Sequence, residues 1–267
     1  MKKTTVPDIL RMRAEGKKIP VLTAYGFQMA VLLDNAGIPL IIVGDSLGMV
    51  EAGYDTTLPV TMDEMVYHTR SVVRGAGAAL VVADMPFGSY QASLDEARAN
   101  AVRLIKEGGA GAVKLEGGIR SAEAVEAIVR MDVPVMGHIG LTPQSVHAMG
   151  GYKVQGKDSA SAASLANDAL AIEKAGAFAM VLEGIPASLA KEITASLKIP
   201  TIGIGAGVHC DGQVLVVNDM LGMDAEGRAP KFVKRYADLK GVITAAVGKY
   251  IQEVKAGVFP SNDESYN

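Results

Sequence analysis

Residues 112–117 read AVKLEG, and they decide the fold once three other stretches are set beside them: PLIIVGD (39–45), ALVVADM (79–85) and FAMVLEG (178–184). Each is a short, nearly continuous apolar run, the pattern of a strand buried on both faces. Each ends in a carboxylate, Asp45, Asp84, Glu116 or Glu183, with Ser, Pro or Gly close behind. A buried carboxylate is costly unless it is paired or binds a metal. Four at strand ends point to carboxylates converging on one ligand, a hard cation.

Four further runs of the same character complete the set: IPVLTAY (19–25), PVMGHIG (134–140), PTIGIGA (200–206) and QVLVVND (213–219). Helical patterns lie between most of them. TMDEMVYHTRSVVRGA (61–76) opens with Thr61 and Glu64 in capping-box spacing, and SLDEARANAVRLIKEGG (93–109) repeats the pattern with Ser93 and Glu96. Segments 121–131 and 161–176 follow, the second with an apolar stripe through Leu165, Ala169, Ile172 and Ala175. A last helix is expected over 232–255. The stretch joining the seventh and eighth runs, GAGVHCDGQ, is too short for a helix.

Eight such units predict an α/β fold, a single (β/α)8 barrel of the TIM type. The doubly wound alternative needs a Gly-rich phosphate fingerprint after the first strand, where this chain has AYGFQMA. One catalytic domain over 1–260 is expected, and the polar tail 261–267 is expected to be disordered.

Composition narrows the function. The chain has 267 residues, 49% hydrophobic and 21% charged, with a net charge of −3 and no basic stripe, which argues against a nucleic-acid partner. The single cysteine, Cys210, excludes an internal disulfide framework. No run approaches the ~18 apolar residues of a membrane span, and the basic start is followed by no apolar stretch of a secretory signal. A cytoplasmic protein is expected. Low aromatic content, 5% with no Trp, argues against stacking platforms for bases or sugars.

Barrel enzymes keep their chemistry at the C-terminal ends of the strands. Asp45, Asp84, Glu116, His138 and Glu183 all fall there. Lys114 and Glu116 are two apart and so share a strand face. Taken alone, Asp45 before Ser46 serves equally well as a helix cap; the convergence favours a shared site for Asp45, Asp84 and Glu116. An all-oxygen set suits Mg2+ better than zinc. Lys114 could form a Schiff base, which needs an apolar setting, but neighbouring carboxylates favour its charged form. Among the histidines only His138 sits at a strand end, where packing and substrate contact weigh equally. His68 falls in a helix, His147 in a loop and His209 in a Gly-rich turn, with no metal spacing. Cys210 reads as an inert thiol. Gly205-Ala206-Gly207 reads as a tight turn rather than a phosphate cradle, since no Lys or Arg is near. The 13 methionines read as core filler.

Longer motifs carry a resemblance. VGDSLGMV (43–50), LPVTMDEMVYHTRSVVRGA (58–76), VVADMPFGSY (81–90), VKLEGG (113–118), GHIGLTPQ (137–144), LEGIP (182–186) and TIGIGAG followed by CDGQVLV (201–216) resemble the ketopantoate hydroxymethyltransferase family, from about residue 5 to 258. The resemblance implies a Mg2+-dependent barrel that transfers a one-carbon unit from 5,10-methylenetetrahydrofolate to 3-methyl-2-oxobutanoate, in pantothenate biosynthesis. It implies Asp45, Asp84 and Glu116 around the metal, and Ser46 and Lys114 binding the oxoacid with Asp45 and Asp84. Glu183 would be the general base. Beside that set, His138 is expected in the substrate pocket, lining it or holding the attacking geometry. It also implies a homo-oligomer, a decamer of paired pentamers. The nearest rival is a metal-dependent 2-oxoacid lyase or mutase of the phosphoenolpyruvate mutase and isocitrate lyase type, which usually carries a Cys in a mobile loop. Cys210 lies outside such a motif. A non-catalytic scaffold would have no need of the intact carboxylate set.

Overall fold

The computed structural model describes residues 2–223 and 229–266. Eight strands form at the predicted apolar runs: β1 (Ile19–Thr23), β2 (Leu40–Val43), β3 (Leu80–Asp84), β4 (Ala112–Glu116), β5 (Val135–Gly140), β6 (Ala179–Glu183), β7 (Thr201–Ile204) and β8 (Gly212–Leu215). The last run, 213–219, is strand only in its first half: the chain leaves the sheet after Leu215, and Val217–Met220 is a short helix. They close into a barrel in chain order. Every neighbouring pair is parallel, and β8 returns to β1. The expected (β/α)8 barrel is the fold observed.

The helices are α1 (Val6–Ala14), α2 (Phe27–Asn35), α3 (Leu47–Val50), α4 (Met62–Gly75), α5 (Leu94–Lys106), α6 (Ile119–Val129), α7 (Val146–Met149), α8 (Ser159–Lys174), α9 (Ala187–Ser196), α10 (Val217–Met220) and α11 (Leu239–Lys255). Side chains fix several starts. Thr61 Oγ1 accepts from Glu64 N–H at 3.2 Å while the Glu64 carboxylate accepts from Thr61 N–H at 2.7 Å, closing the expected capping box. Ser93 caps α5 through Glu96 N–H at 3.1 Å. Helix α8 begins at Ser159 rather than 161, because Asp158 accepts from Ser161 N–H at 2.9 Å. Helix α11 begins at Leu239 rather than 232, because Asp238 accepts from Gly241 N–H at 3.1 Å and sets the cap there.

Strand parity places the core and the chemistry on the same rows. The buried cluster inside the barrel takes alternate residues: Ile19 and Val21, Leu40 and Ile42, Leu80 and Val82, Ala112, Met136, Ala179 and Val181, Ile202, Val214. Ile9 of α1 packs against it and is fully buried. Continuing those rows toward the C-terminal ends, by two residues and on β4 by four, gives Asp84 on β3, Lys114 and Glu116 on β4, His138 on β5 and Glu183 on β6. The inward face thus changes along the strands from a sealed apolar floor to a polar layer at the C-terminal ends.

The described residues fall into two compact units, residues 1–216, which carry the barrel, and residues 217–267. Within the second unit, α11 buries none of its residues, and Val242, Ile243, Val247, Tyr250 and Ile251 are exposed. Asn267, the last residue of the polar tail, lies outside the described residues.

Candidate active site

Register builds the site. β3 pairs with β4 so that Asp84 stands opposite Lys114, and β4 pairs with β5 so that Glu116 stands opposite His138. Adjacent inward side chains therefore meet as charge partners. Lys114 Nζ donates to Asp84 Oδ2 at 3.1 Å. His138 Nδ1 lies 3.3 Å from Lys114 Nζ and 3.5 Å from Glu116 Oε1. On its other side, His138 Nε2 lies 3.1 Å from Glu183 Oε2. That last approach is off the hydrogen-bonding axis, since Nε2 makes no aligned bond.

Asp45 joins the layer from the turn after β2. Its backbone N–H donates to Asp84 Oδ2 at 3.1 Å, and its own Oδ2 accepts from Gln144 Nε2 at 2.8 Å. The carboxylate is thus turned to the barrel mouth, not spent on capping α3. Gly44 makes this turn possible: a Cβ there would lie 2.7 Å from Ser46 Oγ. Ser46 in turn shares a 2.8 Å hydrogen bond with the Tyr25 hydroxyl. Gly140, at φ +94°, does the same for β6: a Cβ would lie 2.2 Å from the Glu183 carbonyl oxygen.

Two residues the sequence reading passed over complete the layer. Gln144, in a 3-10 turn over Pro143–Ser145, has all four of its amide bonding positions in use. Nε2 donates to Asp45 and to the Met85 carbonyl at 2.9 Å, and Oε1 accepts from the Tyr90 hydroxyl at 2.7 Å and from Gln91 at 3.1 Å. Its backbone N–H donates to Glu116 Oε2 at 3.0 Å. The Tyr90 hydroxyl also accepts from Glu116 N–H at 3.1 Å. The only signal in the sequence was that Gln144 ends the stretch GHIGLTPQ.

Asp45, Asp84, Lys114, Glu116, His138 and Gln144 are all buried, while the Glu183 side chain keeps 15% of its surface open to solvent. Burial sets the electrostatics. It pushes Asp45 well above the ordinary carboxylate range, and the charges of Asp84 and Glu116 add to the rise. Asp84 is also raised by burial, against the opposing pull of Lys114. Glu116 is lowered in spite of burial, because it is bonded to His138 and faces Lys114. Burial would lower Lys114, but Asp84, Glu116 and Asp45 together overcome it and raise the amine. A raised amine favours the charged form, the reading expected from the neighbouring carboxylates, over a Schiff-base former. For His138, burial and Lys114 pull down while Glu116 and Glu183 pull up, leaving it at about 9.

The remaining expectations sort simply. His68 sits in α4 with Nδ1 2.5 Å from the Tyr25 carbonyl oxygen. His147 lies in the short helix α7 rather than in a loop. Cys210 is buried and its thiol is raised by that burial, as an inert residue should be. Gly205 and Gly207 have φ of +61° and +79°, and a Cβ at Gly207 would lie 2.4 Å from that of Ala187, so this stretch is a crowded turn.

Four carboxyl groups thus face one lysine and one histidine, more acidic groups than basic ones. Asp84 Oδ1 is buried there without a hydrogen-bond partner. Among the described residues no group of three or more His, Cys, Asp or Glu side chains is placed to hold a metal ion, so Asp45, Asp84 and Glu116 do not form a three-ligand set as they stand. The donors instead fit a cation such as Mg2+, which keeps several waters and takes one or two carboxylates plus substrate oxygens.

The fold and this layer define a barrel enzyme with a carboxylate-lined site at the C-terminal ends of its strands. Comparison with known proteins is specific. Residues 3–262 match the family described as ketopantoate hydroxymethyltransferase, and the chain belongs to that family. It is 62% identical over 266 residues to a 3-methyl-2-oxobutanoate hydroxymethyltransferase of Geotalea daltonii, covering 100% of this chain and 99% of the relative. It is 61% identical to the protein of that name from Geobacter metallireducens, with the same coverage. Among solved structures, phosphonopyruvate hydrolase superposes with a TM-score of 0.64 at 13% identity, covering 100% of this chain and 92% of that one. A 2,3-dimethylmalate lyase of the PEP mutase/isocitrate lyase superfamily gives 0.60 at 13% identity over 98% and 92%. These neighbours share the barrel. Among the described residues no helix is long and apolar enough to cross a membrane.

Proposed function

We propose that the chain transfers a hydroxymethyl group from 5,10-methylenetetrahydrofolate to 3-methyl-2-oxobutanoate, with water, giving 2-dehydropantoate and tetrahydrofolate. Membership of the family supports the reaction. The observation that carries the assignment of roles is the polar layer itself, with a fixed cation, Lys114, among buried carboxylates and a partly open carboxylate, Glu183, at the next strand tip but one.

A Mg2+ ion bound there would supply Lewis-acid polarisation of the keto oxygen. Asp45 and Asp84 would hold it directly, Asp84 through its unpartnered Oδ1. Glu116, already engaged by His138 and by Gln144 N–H, would act through water. Lys114 places positive charge at the oxoacid's carboxylate and keto oxygens, and Ser46 lies at the same rim to bind it. Glu183 takes the proton from C3, a role worth ~10²–10⁴ in rate. His138 spans from Glu116 to Glu183 and orients the base. The C3 carbanion equivalent then bonds to the folate methylene carbon, forming the quaternary centre; both C–N bonds of that methylene are broken in the overall reaction, water supplying the hydroxyl and tetrahydrofolate leaving with its two nitrogens protonated. We read residues 1–260 as one catalytic domain of a cytoplasmic homo-oligomer, a decamer, with the tail outside it.

The test is C3 proton–deuterium exchange of 3-methyl-2-oxobutanoate followed by NMR, with and without Mg2+, and then with methylenetetrahydrofolate. Mg2+-dependent exchange followed by product supports the reading. No exchange under any divalent metal would remove it and bring the lyase and mutase reading forward.

A further inference from the structure

The polar layer is reached from the mouth of the barrel. Below it, the apolar rows and Ile9 of α1 close the floor. On its outer side lies a cavity of about 660 Å³, but the buried side chains of Tyr90, Glu116 and Gln144 stand between that cavity and the barrel centre. At the mouth runs the strap of residues 150–157 that joins α7 to α8.

Two contacts fix the course of the strap. Gln155 N–H donates to the Gly184 carbonyl oxygen at 2.9 Å, beside Glu183 at the tip of β6. The Tyr152 hydroxyl donates to Met49 Sδ at 3.8 Å, in α3, three residues past Ser46 and on the β2 side. In a closed barrel of eight strands, β2 and β6 are four places apart in either direction. They stand on opposite sides of the mouth, so the strap crosses over the layer, with Gln155 near Glu183 and Tyr152 near Ser46.

The two contacts differ in strength. The Gln155 end is a backbone bond, and Gly156 behind it is buried: a Cβ there would lie 2.5 Å from Leu189 Cδ2. The Tyr152 end hangs on a thioether, a weak acceptor. Tyr152 is 48% exposed, and Gly151 before it, at φ +110°, has open space around it. The strap is therefore anchored at one end and loosely latched at the other. Partial burial and the charges of Asp45, Glu183 and Glu116 raise the Tyr152 phenol. Carboxylates from both sides of the mouth thus bear on the hydroxyl, and it keeps its proton.

A 2-oxoacid anion brings only acceptor oxygens, and ionised Asp and Glu side chains can donate nothing to it. On the reading above, Lys114 and Ser46 reach it from the barrel wall, which leaves the mouth side to Tyr152. We propose that Tyr152 is a further substrate-binding residue: the strap closes on the bound oxoacid, and the phenol gives up Met49 for an oxygen of that acid. The identity of the acid rests on the transferase reading. A hydrogen bond to a charged oxygen outweighs one to a thioether, and that difference drives the closure.

Binding and exchange separate this proposal from the reading it rests on. Calorimetry of 3-methyl-2-oxobutanoate with Mg2+ present needs neither turnover nor folate. In Tyr152→Phe, made in the full chain, the dissociation constant of the oxoacid and its Michaelis constant in C3 exchange should both rise about tenfold, the scale of one lost hydrogen bond to a charged group. The melting temperature should match the parent, since the side chain is half-exposed. The chain has no Trp, so Tyr152→Trp puts a single reporter on the strap, with an indole N–H as donor. Its quenching by acrylamide should fall when oxoacid and Mg2+ are added. An unchanged oxoacid constant in Tyr152→Phe would overturn the contact, and unchanged quenching would overturn the closure; either result leaves the transferase reading in place. A parent protein that binds the oxoacid without exchanging C3 would remove the transferase reading, while binding to the two variants still judges Tyr152. No binding of the oxoacid to the parent would overturn both.

Discussion

Replacing Gln144 by Met isolates what the buried amide contributes, because Met keeps the length and volume of the side chain and removes only its polar atoms. The parent amide satisfies Asp45 Oδ2 at 2.8 Å and the Met85 carbonyl at 2.9 Å. On the other side it takes the Tyr90 hydroxyl at 2.7 Å and Gln91 at 3.1 Å. Two of these partners lose little. Tyr90 can turn its hydroxyl to the Glu116 carbonyl oxygen, 3.2 Å away, and Gln91 is exposed enough to find water. The other two are buried and left without a donor. An unsatisfied buried carbonyl costs about 1–3 kcal/mol, and a lost bond to a charged group about 1.5–3 kcal/mol. The expected loss is therefore about 3–5 kcal/mol, or a fall in melting temperature on the order of 10 °C for a chain of this size. Gln144 also lowers Asp45, so its removal should raise Asp45 further and weaken Mg2+ binding at neutral pH. Urea unfolding of Gln144→Met beside Gln91→Met, each with and without Mg2+, measures this. The second variant should change stability by no more than about 0.5 kcal/mol. A Gln144→Met protein within about 1 kcal/mol of the parent would refute the argument, since a satisfied buried network cannot be removed that cheaply.

Three further outcomes follow from the same layer. Glu183→Gln should lower C3 exchange by about 10²–10⁴ while the oxoacid still binds, and exchange at the parental rate would remove Glu183 as the base. Asp45 and Asp84 are raised in the fold, so the metal-free protein holds protons more tightly than the unfolded chain. The contribution of these two groups to stability should be complete below the ordinary carboxylate value of about 3.9 and be lost as pH rises through their raised values. Mg2+ should displace those protons and flatten the decline. Calorimetric Mg2+ binding in buffers of different ionisation enthalpy should then show proton release, and a buffer-independent enthalpy would contradict it. His138, raised to about 9, contributes stability that is complete below its ordinary value of about 6.5 and lost as pH rises through 9. Its ring should be an imidazolium at pH 7.5 in metal-free protein by nitrogen-15 NMR, and a neutral ring there would show that Glu116 and Glu183 do not outweigh burial.

The strands were legible because burial on both faces imposes a continuous apolar run, and a carboxylate at the end of such a run stands out. Helices announced by side-chain caps, α4 and α5, were legible for the same kind of reason. Helices α2 and α9 were not marked, and neither has a capping side chain: α2 starts after Gly26 and α9 after Pro186. The start of α11 was misplaced because the residues before Asp238 continue a helix-like composition that the cap overrides. Asp84, Lys114, Glu116, His138 and Glu183 follow from strand parity, while Asp45 stands out only as the carboxylate just after an apolar run. Gln144 and Tyr90 could be found in neither way, since they are neutral, lie in loops, and matter only because those loops fold back onto the mouth of the barrel. The cavity beside them was invisible for the same reason: its lining is drawn from segments as distant as Leu58 and Ala148.

The barrel itself does not separate a carbon-transfer enzyme from a lyase or mutase, because solved structures at 13% identity share it with TM-scores of 0.60 to 0.64. What differs must lie at the strand tips and in the space around them. Joining two molecules requires a base for one and room for the other. Here Glu183 is the member of the polar layer left partly open, while the cavity of about 660 Å³ shares Glu116 and Gln144 with the opposite side of the same layer. On the transferase reading proposed above, Glu183 is the base at the open edge of the layer, so room for a second molecule matters most where that carboxylate meets solvent.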